Sequence, residues 1–174
     1  MQSKTAFSVI FTTLLLFSFT SFISCKKTRL NYYGLNVPQE KLVSLKSGGP
    51  HEYSWQTEDI TVQYQFTHNE NSFKLSGWVD FSNNIKNYRQ LEYFYLWVHF
   101  IDSENKIIAT TDLLPLAYFY EVNKMSFEKT IELPPGVKAF VFSYSGYATE
   151  ISGGGGPGDS DGGTDWKFWK TPHG

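Results

Sequence analysis

Between Ile60 and Tyr144 apolar side chains recur at every second position, and that spacing suits one kind of backbone. Ile60, Val62, Tyr64 and Phe66 alternate with Thr61, Gln63 and Gln65. Successive side chains of an extended strand point to opposite faces, so this segment predicts a strand with one buried and one wet face. Phe73, Leu75, Gly77, Val79 and Phe81 repeat the pattern after the turn-rich His68-Asn69-Glu70-Asn71-Ser72, which predicts a hairpin. From Leu91 to Ile101 both alternating sets are large, with Phe94, Leu96, Val98 and Phe100 on one side and Tyr93, Tyr95, Trp97 and His99 on the other. A strand of that kind is a central one, covered on both faces. Lys106 to Thr111 predicts a further short strand, ended by Pro115, which cannot donate to a ladder. Met125 to Leu133 alternates with a charged face, and Val137 to Tyr144 follows the break at Pro134-Pro135-Gly136. Leu116 to Val122 fits either an aromatic edge segment or one or two helical turns.

Short strands joined by Gly, Pro and Asn turns, without a long helical pattern, predict an all-β fold. We expect an antiparallel β-sandwich of about 7–8 strands, with a small barrel as the alternative closure. The core is expected over residues 60–152. Residues 25–59 supply a tether and a first strand, at Leu30 to Gly34 or Leu42 to Leu45. Residues 153–164 are rich in glycine and lack a large apolar side chain, the composition of a flexible linker. Residues 165–174 form an aromatic-basic tail.

The first 25 residues carry a different signal. Lys4 precedes an apolar run from Ala6 to Ile23, followed by Phe22-Ile23-Ser24-Cys25. This resembles the lipobox of bacterial lipoprotein signal peptides, with Phe22 where Leu is commonest. The resemblance implies that residues 1–24 are removed and that Cys25, the single cysteine of the chain, becomes an acylated N-terminus. It also implies an exported, membrane-anchored protein, and Lys26 after the cysteine implies the outer membrane. Two acyl chains already anchor stably, at about 0.8 kcal/mol per buried methylene. The competing reading is an uncleaved span, since about 18 residues can just cross a bilayer core. Ser8, Thr12, Thr13, Ser18, Thr20 and Ser21 make the run more polar than most spans.

Composition then removes function classes. Loss of Lys4 makes the formal charge of −2 one unit more negative, and no Lys/Arg run could track a phosphate backbone, which argues against nucleic-acid binding. With Cys25 acylated, no thiol remains for a disulfide, a metal or a nucleophile. His51, His68, His99 and His173 share no metal-ligand spacing, and His99 reads as a core histidine with hydrogen-bonded ring nitrogens. No nucleophile elbow, phosphate loop or cofactor motif occurs. Asp159, Asp161 and Asp165 on a glycine-rich turn are the best calcium candidates, against the plainer reading of a solvated acidic linker. Asp80, Glu92, Asp102 and Glu121 could pair across a face only if the fold brings them together.

The aromatic side chains make up 18% of the chain, too many to leave unassigned. Tyr93, Tyr95, Trp97, Tyr118, Phe119, Tyr120, Tyr144 and Tyr147 could fill the core or form a stacking platform. Trp166, Phe168 and Trp169 follow the linker and should either dock as a last strand on a sheet edge or contact a partner or the membrane. The expectation is an anchored envelope lipoprotein with a non-catalytic role toward an unknown envelope protein. The alternatives are a carbohydrate-recognition module using exposed aromatics and a small hydrolase.

Overall fold

The alternation along the chain becomes two antiparallel sheets packed face to face. The computed structural model describes residues 31–88, 90–114, 124–150 and 165–173. Its strands are β1 (Val43–Ser44), β2 (Gly48–Gln56), β3 (Ile60–Asn69), β4 (Ser72–Phe81), β5 (Gln90–Ile101), β6 (Ile107–Asp112), β7 (Met125–Glu132), β8 (Ala139–Thr149) and β9 (Asp165–Lys170), with a one-turn helix α1 (Asn83–Lys86) between β4 and β5. One sheet runs β2-β3-β4-β7; the other runs β1-β8-β5-β6, and β9 also pairs with β8. The all-β antiparallel sandwich expected from the sequence is present, with nine strands among the described residues.

The hairpin β3–β4 keeps one unbroken register from Ile60↔Phe81 to Asn69↔Ser72. Gly77 faces Tyr64 in that register, and a Cβ there would lie 2.2 Å from the Gln63 carbonyl oxygen; the two strands approach closely because this residue has no side chain. Strand β5 is central, flanked by β6 and β8. Between the sheets, rings from β3 and β4 meet rings from β5 and β8: Phe66 lies 5.3 Å from Phe140, and Phe73 lies 5.5 Å from Phe100, nearly perpendicular to it. Each fully buried ring contributes about 1.5–3 kcal/mol, which is how a chain without disulfides holds this fold.

The sandwich also takes in residues upstream of Ile60. Gly48-Gly49-Pro50 reads as a break, yet the chain continues through it in β2 with a register shift between Gly48 and His51. The alternation of His51, Tyr53 and Trp55 with Glu52, Ser54 and Gln56 is the strand signal that follows. Further upstream, residues 34–37 run beside the β5–β6 turn through hydrogen bonds from Gly34 N to Ile107 O and from Val37 N to Asn105 O. Val37 closes a second, smaller core there with Ile101, Ile107, Ala139 and Val141.

The tail docks on an edge. Strand β9 pairs with β8 from Thr149↔Asp165 to Tyr144↔Lys170. Phe168 is buried among Phe81, Phe94 and Tyr144, directly over Gly146. Cys25, residues 116–122, Asp159 and Asp161 lie outside the described residues.

Candidate functional site

Both β1 and β9 pair with the same edge of β8, but they leave a gap. Val43 pairs with Phe140 and Lys170 pairs with Tyr144, so among the described residues Phe142 between them has no strand opposite it on that edge. Across from the gap stands β2, the outermost strand of the other sheet. The two sheets do not close on this flank, and the opening forms a cleft of about 680 Å³. That lies within the ~300–1,000 Å³ typical of ligand sites.

The cleft has aromatic walls and a polar, charged rim. Trp55 stacks on Phe142 at 5.5 Å and meets the Tyr144 ring at 5.8 Å. Tyr53 stacks on Tyr64 at 5.9 Å, and the Lys46 ammonium lies 5.7 Å from the Tyr53 ring centre. Trp55 and Tyr53 are half-buried because they belong to an edge strand whose inward face meets the gap. The rim carries Glu40, Glu58 and Asp59 against Lys41, Lys46 and Lys170, so its formal charges cancel. Ser44, Ser54, Gln56, Thr57 and Thr171 add neutral polar groups.

At one end of the cleft the Tyr144 hydroxyl donates to Asp59 Oδ2 at 2.7 Å and lies 3.0 Å from the Thr57 hydroxyl. Burial raises the Tyr144 pKa far above the usual phenol range, and the Asp59 carboxylate pushes in the same direction. The phenol is therefore a fixed neutral donor that orients the carboxylate. Tyr64 is raised in the same way, first by burial and then by Tyr53.

His99 and Ser143 make a short polar contact in the interior. His99 Nε2 lies 2.6 Å from Ser143 Oγ, and Nδ1 lies 2.8 Å from Thr110 Oγ1. Tyr32 covers the ring edge-on at 5.1 Å. Both His99 and Ser143 have zero exposure, so this pair has the spacing of a base and a nucleophile but no access for a substrate. Burial lowers the His99 pKa to about 4, and the ring stays neutral as a core histidine bonded through both nitrogens.

The tail residues separate into two kinds. Phe168 is 2% exposed and belongs to the core, whereas Trp166 and Trp169 are 41% and 64% exposed. Trp169 borders the cleft; Trp166 lies beside Tyr88, 6.4 Å between ring centres. Asp165 starts β9 and accepts a hydrogen bond from the Tyr147 hydroxyl. Among the described residues no cluster of three or more His, Cys, Asp or Glu is placed to hold a metal.

The aromatic platform divides as well. Tyr144 points into the core, while Tyr93, Tyr95, Trp97 and Tyr147 share the outer face of the β5–β8 pair. Tyr95 and Trp97 stack on each other at 5.3 Å and 8°, and Tyr93 packs against Tyr147 at 5.8 Å. Tyr118, Phe119 and Tyr120 lie outside the described residues. Trp55, Tyr53 and Asp59 did not stand out in the sequence, although the alternation from His51 to Gln56 carried the signal.

Compared with known proteins, the chain matches no family model, no curated protein and no solved structure.

Proposed function

We propose that this chain is an exported lipoprotein, acylated at Cys25 and held at the bacterial outer membrane, whose sandwich is a non-catalytic binding module. The observation that carries the binding half is the flank cleft: a preformed concave site with aromatic walls, polar groups on its rim and an orienting Tyr144–Asp59 pair. The address half rests on the lipobox-like Phe22-Ile23-Ser24-Cys25.

Two kinds of occupant follow from the sequence, an envelope protein and a carbohydrate. A protein strand would add to the edge of β2 that carries no partner among the described residues. That edge is poorly suited to it, because Pro50 lacks a donor, the register shifts between Gly48 and His51, and Glu52 sits in mid-strand. Such features discourage strand addition. A carbohydrate uses the cleft itself, stacking rings on aromatic faces and hydroxyls on the rim, and the geometry supports that reading better.

Site-specific photo-crosslinking in intact cells tests the binding role without assuming the ligand. A benzophenone side chain replacing Lys46 on the cleft rim should give adducts that one replacing Lys129 on the far β7 edge does not, and Trp55→Ala should remove them. Equal adducts at both positions, or none at Lys46, would contradict the proposal.

A further inference from the structure

We infer that the cleft takes a neutral oligosaccharide of a few rings, stacked on Trp55. This rests on the binding role proposed above and adds the ligand's chemistry. Among the described residues, three acidic and three basic side chains surround the opening. A polyanion would meet Glu40, Glu58 and Asp59, and a polycation would meet the three lysines, so either would bring like charges together. An uncharged ligand meets no such penalty, and its hydroxyls can both donate to carboxylates and accept from ammonium groups.

The aromatic wall sets the ligand's other property. A purely apolar molecule would leave the rim's charged groups desolvated and unpaired, which is costly. A sugar ring has apolar C–H faces and a polar equator, and this matches a site whose floor is Trp55 with Phe142 and whose rim is charged. Asp59 is held by the Tyr144 hydroxyl at 2.7 Å, so one acceptor is oriented before the ligand arrives, which lowers the ordering cost of binding. The volume of about 680 Å³ limits the bound stretch to a short oligomer.

The test uses the full mature lipoprotein in a detergent without a sugar headgroup. Tryptophan fluorescence is titrated with neutral cello-, xylo-, manno-, malto- and chito-oligosaccharides of three to six rings, an acidic oligogalacturonide, and a strand-forming peptide as control. We expect saturable binding of at least one neutral oligosaccharide, at least tenfold tighter than the acidic one. Trp55→Ala should weaken it by tenfold or more and Trp55→Phe by less, while Trp166→Ala leaves it unchanged. If Trp55→Ala does not fold, Trp55→Phe reads the same contact, because it retains an aromatic ring in the wall.

No binding by any neutral oligosaccharide, binding indifferent to both Trp55 variants, or preference for the acidic sugar or the peptide would overturn the inference. If Trp55-dependent crosslinking at Lys46 persists while every oligosaccharide fails, the ligand class is wrong and the binding role stands. If both fail, the binding role falls with it.

Discussion

Replacing Phe168 by alanine should destabilise the whole sandwich, although the residue lies in a tail reached through a glycine-rich segment. Phe168 is 2% exposed and lies 6.1–6.4 Å, centre to centre, from Phe81, Phe94 and Tyr144. Truncating a buried phenylalanine costs about 3–5 kcal/mol in lost transfer energy and cavity. For a chain of this size each kcal/mol moves the melting temperature by about 2–4 °C, so Phe168→Ala should lower it by about 6–20 °C. Trp169→Ala, removing a residue that is 64% exposed, should stay within about 0.5 kcal/mol. The same contact can be broken from the other side. A Cβ on Gly146 would fall 2.1 Å from Phe168 Cζ, so Gly146→Ala must push the ring out and should approach the Phe168→Ala value. The two changes should then be strongly non-additive, since each removes one shared contact. Thermal and urea unfolding of the full mature chain, followed by circular dichroism, reads all four variants. A Phe168→Ala loss below about 1 kcal/mol, or additive losses in the double mutant, would refute the docking argument, since a buried ring cannot cost so little.

Three further outcomes follow from single contacts. His99 has a pKa of about 4 in the fold against an ordinary 6.5, so the unfolded chain binds its proton first as pH falls. Its contribution should be complete above about pH 6.5, decline to pH 4 by about 3 kcal/mol and then level off; urea unfolding against pH checks this, and a His99 ring that titrates near 6.5 by NMR would contradict it. Gly77→Ala places a Cβ 2.2 Å from the Gln63 carbonyl and should cost at least about 1–3 kcal/mol as overpacking, measurable by the same unfolding. Tyr144→Phe removes the donor to Asp59 and should cost about 1.5 kcal/mol, the low end for a bond to a charged group, because the contact is only part-buried.

Legibility in the sequence followed burial. The strands β3, β4 and β7 were readable because a core face alternates with a polar one, and β5 because both of its alternating sets are large; the tail fitted an edge strand or a partner or membrane contact equally, and only the fold pairs it with β8. Strand β2 was harder, since Gly48-Gly49-Pro50 carries turn chemistry while the chain extends through it with a register shift. The alternation is legible only from Val137 to Tyr144, whereas β8 continues to Thr149. Gly146 is the space beneath Phe168, a contact across 22 residues that no local pattern encodes. The cleft was illegible for the same reason. It arises where β1 and β9 stop short of each other on β8, and its walls come from β2, β8 and the turn after β2. Residue type alone could not separate Trp55 from the other aromatic residues; its place on an edge strand facing a gap does.

We propose an envelope address that brings this cleft to its ligand, and the N-terminus of the protein recovered from membranes tests that proposal most directly. Mass spectrometry of protein extracted from membranes should find Cys25 as the first residue, carrying a thioether-linked diacylglycerol and an amide-linked acyl chain, and Cys25→Ala should abolish both the modification and membrane retention. Recovery of residues 1–24 attached to the mature chain, or an unmodified Cys25 in membrane-bound protein, would contradict the account.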